Sequence, residues 1–168
     1  VIADTGRTRR RSIHWLDAGN DELLEQLRVL NGFDIDLAAD LTRLTNRLRD
    51  SLVSVSPALE RAVGSRLHQA GVRDLLAKFP TPAALRAAGR ARINTAVKKR
   101  SPRVAAKVVD AVTAALDAQS VTMPAEQAVG RVIAELAVEL DRIHARRDAL
   151  AAEIEEVFLA HPFGQVLV

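Results

Sequence analysis

Chemistry on a protein of this kind would need paired carboxylates around a metal ion, a serine beside a base, or histidines and carboxylates at ligand spacing. The four histidines, His14, His68, His144 and His161, are scattered, and none stands with a carboxylate at metal-ligand spacing. His144 lies beside an apolar heptad and His161 in a helix-ending His-Pro, both structural or exposed positions. Asp34, Asp36 and Asp40 come nearest to a metal-binding set. Asp36 and Asp40, one turn apart on a helix, read instead as a solvated face. No serine is accompanied by a base or by a Gly-rich turn, and there is neither a phosphate-binding loop nor a dinucleotide fingerprint. Cysteine is absent, so disulfides and thiolate metal sites are impossible, as fits a cytoplasmic protein. No catalytic residue, metal ligand or cofactor is expected within these residues.

What the sequence does contain is segregated positive charge. The net charge is only +3. Yet from Leu75 to Val109 there is no Asp or Glu, while Lys78, Arg86, Arg90, Arg92, Lys98, Lys99, Arg100, Arg103 and Lys107 all occur. Arg7, Arg9, Arg10 and Arg11 form a second cluster, and Arg43, Arg47 and Arg49 a third. Such segregation attracts a polyanion, and phosphate backbones are the commonest one. RNA, DNA or both are the partners expected for these clusters; Arg90 through Lys107 form the densest. No base-reading motif accompanies them, so affinity should follow shape and charge more than sequence.

The elements that carry these residues are helical. Aromatic residues make up 3% of a chain in which apolar residues reach 48%. That mixture suits aliphatic helix packing and is poor for sheets. Leu23, Leu24, Leu27, Leu30, Leu37, Leu41, Leu44, Leu48 and Leu52 recur at helical spacing from an N-cap at Asn20, with Asn31-Gly32 as a point where the helix bends or breaks. Pro57 opens a short helix to Val63. Gly64 and Gly71 bracket a connector into Val72–Lys78. Thr81-Pro82 starts a helix that stops near Gly89, followed by a short one over Arg90–Lys99. Ser101-Pro102 repeats the start signal for a helix with Val104, Val108, Val112, Ala115 and Leu116 as its stripe. The fold class expected is all-α, a bundle of short helices plus a long coiled-coil helix.

That last helix is expected from Pro124 to about Ala160. Ile133, Leu140, Arg147 and Ile154 fall at position a of a heptad, and Val129, Leu136, Ile143, Leu150 and Val157 at position d. A seam of this length needs a partner helix. The candidates are Pro102–Gln119, the helix from Asn20, or a second copy. The first is short, which favours a homodimer or higher oligomer, with Arg147 as a register-setting polar residue in the seam. No apolar run approaches the roughly 20 residues that cross a bilayer, so no membrane partner is expected. The first residue is Val, and the chain reads as a piece of something longer. A self-contained protein–protein adaptor that dimerises by a coiled coil, without nucleic acid, is the alternative reading.

Four strings add a resemblance. "VIADTGRTRR" at Val1–Arg10, "LTRLTNRLRDSLVSVSPALERAV" at Leu41–Val63, "FPTPAALRAAG" at Phe79–Gly89 and "HPFGQVLV" at His161–Val168 occur in this order. In them the chain resembles bacterial insertion-sequence transposases related to the Piv invertases, which join a RuvC-like nuclease domain bearing four acidic residues to a serine transposase domain. The resemblance implies that the acidic set, with its Mg²⁺, lies before Val1 and the nucleophilic serine after Val168; Asp4 is not a member of the acidic set. It implies a division into 1–56, the end of the nuclease-like domain and a long connecting helix; 57–119, a basic bundle; 120–161, the coiled-coil helix; and 162–168, the start of the transposase domain. The segment would be a non-catalytic connector that dimerises and contacts a guide RNA or DNA, within a parent recombinase. At Asn31–Asp36 the chain departs from the family, being acidic and Gly-containing where relatives are often basic. The highly purified chain is expected to show no nuclease or strand-transfer activity with or without Mg²⁺. Metal-dependent cleavage lost on changing Asp34 and Asp36 would overturn that.

Overall fold

The structure, a computed structural model, describes residues 18–119 and 125–160, with side chains from residue 22 onward. Among these residues every regular element is helical: α1 (Ala18–Val55), α2 (Pro57–Val63), a single 3-10 turn (Gly64–Arg66), α3 (Ala70–Lys78), α4 (Pro82–Arg100), α5 (Ala105–Ala118) and α6 (Glu126–Ala160). None of the helices is long and apolar enough to cross a membrane. The chain divides into two units, one over residues 36–147 and the other made of residues 1–35 with 148–168.

In the larger unit, α2 packs along α5, and α4 lies against both α3 and α5. The core is aliphatic throughout. Leu48 and Leu52 of α1, Leu75 and Leu76 of α3, Leu85 of α4, Val108 and Val112 of α5, and Ile133 and Leu140 of α6 are all closed to solvent. Each such side chain contributes roughly 1.5–3 kcal/mol by burial. The start signals act locally. Ser56 accepts from the Leu59 amide at 3.2 Å ahead of Pro57. Thr81 accepts from Ala84 at 3.1 Å ahead of Pro82. The buried Glu126 carboxylate takes the neighbouring Ala83 amide at 3.1 Å, so α6 begins by closing the N-terminus of α4.

Of three local points, one is open in the sequence, one is met and one is corrected. Asn31-Gly32 does not interrupt α1, which runs through it as one helix. Nothing lies within 4 Å of where a Gly32 side chain would begin, so the glycine serves no close contact. Gly89 divides α4 where the sequence places the stop: at φ 70° and ψ 167° it leaves the helical region, a conformation glycine enters without the Cβ penalty, and a second helical segment runs on to Arg100. Ser101 does not cap α5, which starts at Ala105 with Val104 before it. Its hydroxyl instead accepts from the Gly71 amide at 2.9 Å. A Cβ on Gly71 would strike the Val97 carbonyl, so only glycine lets α3 approach the end of α4 this closely.

The heptad residues of the larger unit find cover within the chain, beside the helix from Asn20, one of the partners their seam allows. Ile133, Leu136, Leu140 and Ile143 are buried by the chain itself, with Val129 half-buried at the start of the row. In the larger unit α6 is flanked by α1, which shares a cleft with it, and by α3 and α4, which bond to it. The physical reason is the part of α1 from residue 36 onward, which runs beside α6 where Pro102–Gln119 is too short to do so. In the smaller unit Leu150 and Val157 are buried, and Arg147, at the end of the larger one, and Ile154 are half-buried. Leu136→Asp with Ile143→Asp should therefore unfold the larger unit, as loss of helical circular dichroism, because each buried unpaired carboxylate costs several kcal/mol. A folded variant that merely changes its sedimentation would place these residues at a contact between copies.

Candidate nucleic-acid interface

The cations of the acid-free stretch fall into two sets. Arg86 donates to the Leu116 and Gln119 carbonyls at 2.8 and 2.9 Å, closing the C-terminal end of α5. Arg90 bonds Thr113 at 3.0 Å and Asp110 at 2.5 Å. Arg100 bridges Asp74 at 3.1 Å and Asp141 at 2.9 Å. These three position helices. The remaining six, Lys78, Arg92, Lys98, Lys99, Arg103 and Lys107, are exposed and have no ion pair among the described residues, though Lys78 lies over the Phe79 ring at 5.6 Å. Four of them crowd the corner where α4 ends and α5 begins. Of the contact residues expected in this stretch, Arg90 and Arg100 are thus engaged internally, Arg92 is exposed on α4, and Lys98, Lys99, Arg103 and Lys107 stay at the corner.

What holds that corner is a charged network. Arg73 is 4% exposed. It donates to the Leu67 and His68 carbonyls at 3.1 and 2.7 Å and from Nε to Asp141 at 2.9 Å. The other oxygen of Asp141 receives Arg100 at 2.9 Å. Burial pushes the Asp141 carboxyl up, but the hydrogen bonds from Arg100 and then Arg73 outweigh it and hold the group below its ordinary value of 3.8. The guanidinium of Arg100 is raised in turn, chiefly by its bond to Asp141.

The third cluster is also divided. Arg49 is bound to Glu60 at 2.7 Å and fastens α1 to α2. Arg43 and Arg47 face the other way, into a cleft of about 450 Å³ between α1 and α6. Arg142 and Arg146 of α6 complete it, with Asp40 and Glu139 at its rim and Leu37, Leu44 and Ile143 below. Asp40 pairs with Arg43 on the surface, an exposed ion pair worth little to stability. Arg142 and Arg146 do not stand out in the sequence because they sit among the acidic residues of α6. Only the antiparallel register of two helices, 40–47 against 139–146, brings them to Arg43 and Arg47. Arg7, Arg9, Arg10 and Arg11 lie outside the described residues. So does His161. Among the described residues no group of three His, Asp or Glu side chains could hold a metal ion.

The fold is an all-α bundle that gathers cations at a corner and in a cleft. Comparison with known proteins finds relatives of the chain among insertion-element proteins. The chain is 42% identical over 167 residues to the insertion element IS110 uncharacterized 43.6 kDa protein of Streptomyces coelicolor. It is 38% identical over 167 residues to the insertion element IS116 uncharacterized 44.8 kDa protein of Streptomyces clavuligerus. With the insertion element IS900 uncharacterized 42 kDa protein of Mycobacterium paratuberculosis it shares 34% over 168 residues. These matches take in 99–100% of this chain and 41% of each relative. The chain is a homologue of insertion-element proteins, as its four strings suggest, and spans about two fifths of their length. No family model and no solved structure matches it.

Because the folded-state Asp141 carboxyl is lowered, its contribution to stability is complete at neutral pH and is lost as pH falls from about 3.8 through the lowered value. Asp141→Asn should be less stable than the parent at pH 7 and lack this part of the acid-induced loss, read by urea unfolding across pH. Arg73→Met, which strands Asp141 and empties two carbonyls, should lower the unfolding free energy by about 3 kcal/mol at neutral pH. Parent and Asp141→Asn curves that run parallel through the acid limb would remove this network from the account.

Proposed function

We propose that this chain is the non-catalytic helical connector of a DNA transposase or site-specific recombinase, and that it contacts nucleic acid, guide RNA or DNA, through its exposed cations. Homology to insertion-element proteins over nearly the whole chain supports the transposition setting. The observation that carries the contact is the α4–α5 corner. After Arg86, Arg90 and Arg100 have taken up helix ends and carboxylates, Lys98, Lys99, Arg103 and Lys107 stay exposed without a counter-charge. Four like charges on one corner repel each other, which the C-terminal dipole of α4 offsets only for Lys98 and Lys99 in its last turn. A phosphate backbone relieves that repulsion and releases its own counterions on binding. The carboxylates beside the corner, Asp74 and Asp141, are already bound by Arg100, so no acceptor is left for a base edge and the corner grips without reading sequence.

Fluorescence anisotropy of labelled duplex DNA and of a structured RNA across salt concentrations tests this. Lys98→Glu, Lys99→Glu and Arg103→Glu together should keep the helicity of the parent and weaken binding at low salt. They should also flatten the salt dependence by roughly 0.9 log units for each duplex phosphate no longer neutralised. If neither nucleic acid binds the parent at low salt, the corner is ordinary solvated surface and the chain is better read as a protein–protein adaptor.

A further inference from the structure

The cleft between α1 and α6 differs in chemistry from the α4–α5 corner. At the corner Lys98, Lys99, Arg103 and Lys107 carry no ion pair among the described residues, and the nearby carboxylates Asp74 and Asp141 are taken by Arg100. The cleft is concave, and its four guanidiniums, Arg43, Arg47, Arg142 and Arg146, share the space with the carboxylates of Asp40 and Glu139. A surface meant only for phosphate gains nothing from acceptors, since a carboxylate repels the very group the arginines attract. A nucleobase is the part of a nucleic acid that uses both. Its exocyclic amine donates to a carboxylate, its ring stacks on a guanidinium plane, and its flanking phosphates take the remaining arginine donors.

We propose that this cleft holds a single unpaired nucleotide of a bound strand, its base lodged between α1 and α6 and its neighbouring phosphates on the arginines. The proposal rests on the nucleic-acid reading of the chain but concerns a different surface from the corner. The volume of about 450 Å³ is of the size that small-molecule sites occupy. A duplex cannot enter it, and a base turned out of its stack can. Arg43 and Arg47 stand one turn apart, as do Arg142 and Arg146, so each helix presents two guanidiniums about 6 Å apart along its axis. That places cations on both walls of the cleft. The aliphatic stems of these arginines, with Leu37, Leu44 and Ile143 below, form an apolar lining for the ring faces. Asp40 is occupied by Arg43, whereas Glu139 has no ion pair among the described residues and is the acceptor left for a base edge. Arg47 and Arg142 likewise carry no ion pair there, one on each helix.

The test uses hairpins of RNA and of DNA, each made with and without one unpaired 2-aminopurine in the stem, and the intact 168-residue chain. The bulged hairpin should bind about tenfold more tightly than the fully paired one of the same sequence, as a stacked base is worth by substitution, and its 2-aminopurine fluorescence should change on binding. Arg47→Ala with Arg142→Ala, two exposed positions, should abolish both the preference and the fluorescence change while retaining helicity. Glu139→Gln should reduce the preference without altering binding of the paired hairpin. Reversal of Lys98, Lys99 and Arg103 should weaken both hairpins alike and leave the preference intact. Whichever sugar backbone shows the preference identifies the strand that enters. Equal binding of bulged and paired hairpins, or a fluorescence change that survives Arg47→Ala with Arg142→Ala, would overturn the proposal and leave the corner standing. Absence of binding by every hairpin would overturn both readings together.

Discussion

The larger unit is organised around one guanidinium that water cannot reach. Arg73 is enclosed on α3, and a buried charge is tolerated only when paired and fully hydrogen-bonded. Its donors go to two carbonyls just before α3 and to Asp141 on α6, elements far apart in sequence. Asp141 then has a free oxygen, and Arg100 at the end of α4 takes it. Three helices are thereby fixed to one carboxylate. Because Arg100 is held from its own side chain outward, the residues around it, Lys98, Lys99 and Arg103, have their positions set by a bond they do not make. The close fit of Gly71 against the Val97 carbonyl, and the Ser101 hydroxyl on the Gly71 amide, fasten the same two helices by a second, uncharged route.

Apolar periodicity and start signals carried most of the helix pattern. The leucines of α1, the Ser56-Pro57 and Thr81-Pro82 starts and the aliphatic row of α6 are local facts, and local facts are legible in one dimension. Ser101-Pro102 shows the limit of this. It carries the same local signal as Thr81-Pro82, but its hydroxyl has a better use across the bundle, and α5 begins later. The heptad shows the same limit at larger scale. Its period fixes which residues seek cover and is silent on whose surface supplies it. In the larger unit the part of α1 from residue 36 onward gives the answer, while Asn31-Gly32 costs too little to stop a helix already propagating on both sides.

Charge was legible as clusters and illegible as pairs. The acid-free stretch is visible in the sequence, but the division of its members between Arg86, Arg90 and Arg100, which brace helices, and the exposed remainder depends on carboxylates and carbonyls far along the chain. Arg43, Arg47 and Arg49 look alike in sequence. A rotation of about 100° per residue sends Arg49 to Glu60 and the other two to the cleft. Arg142 and Arg146 carry no mark at all, since acidic neighbours dilute them along α6.

The two basic surfaces also differ in what they ask of the bundle beneath them. A phosphate-gripping corner tolerates movement, because Coulomb attraction falls slowly with distance and counterion release does not depend on a fixed geometry. A cleft that discriminates by shape does not tolerate it, since a shift of an ångström between its walls changes whether a ring fits. The walls of the cleft are two helices whose inner faces, Leu37, Leu44, Leu140 and Ile143, are buried aliphatic side chains, and such cores resist displacement because they are close-packed. The corner too stands on buried aliphatic residues, Val97, Ala105 and Val108, and Arg100, itself partly open to solvent, adds a polar tether to that packing. The bundle thus gives both surfaces a close-packed base, which a shape-selective cleft needs and a phosphate-gripping corner merely permits.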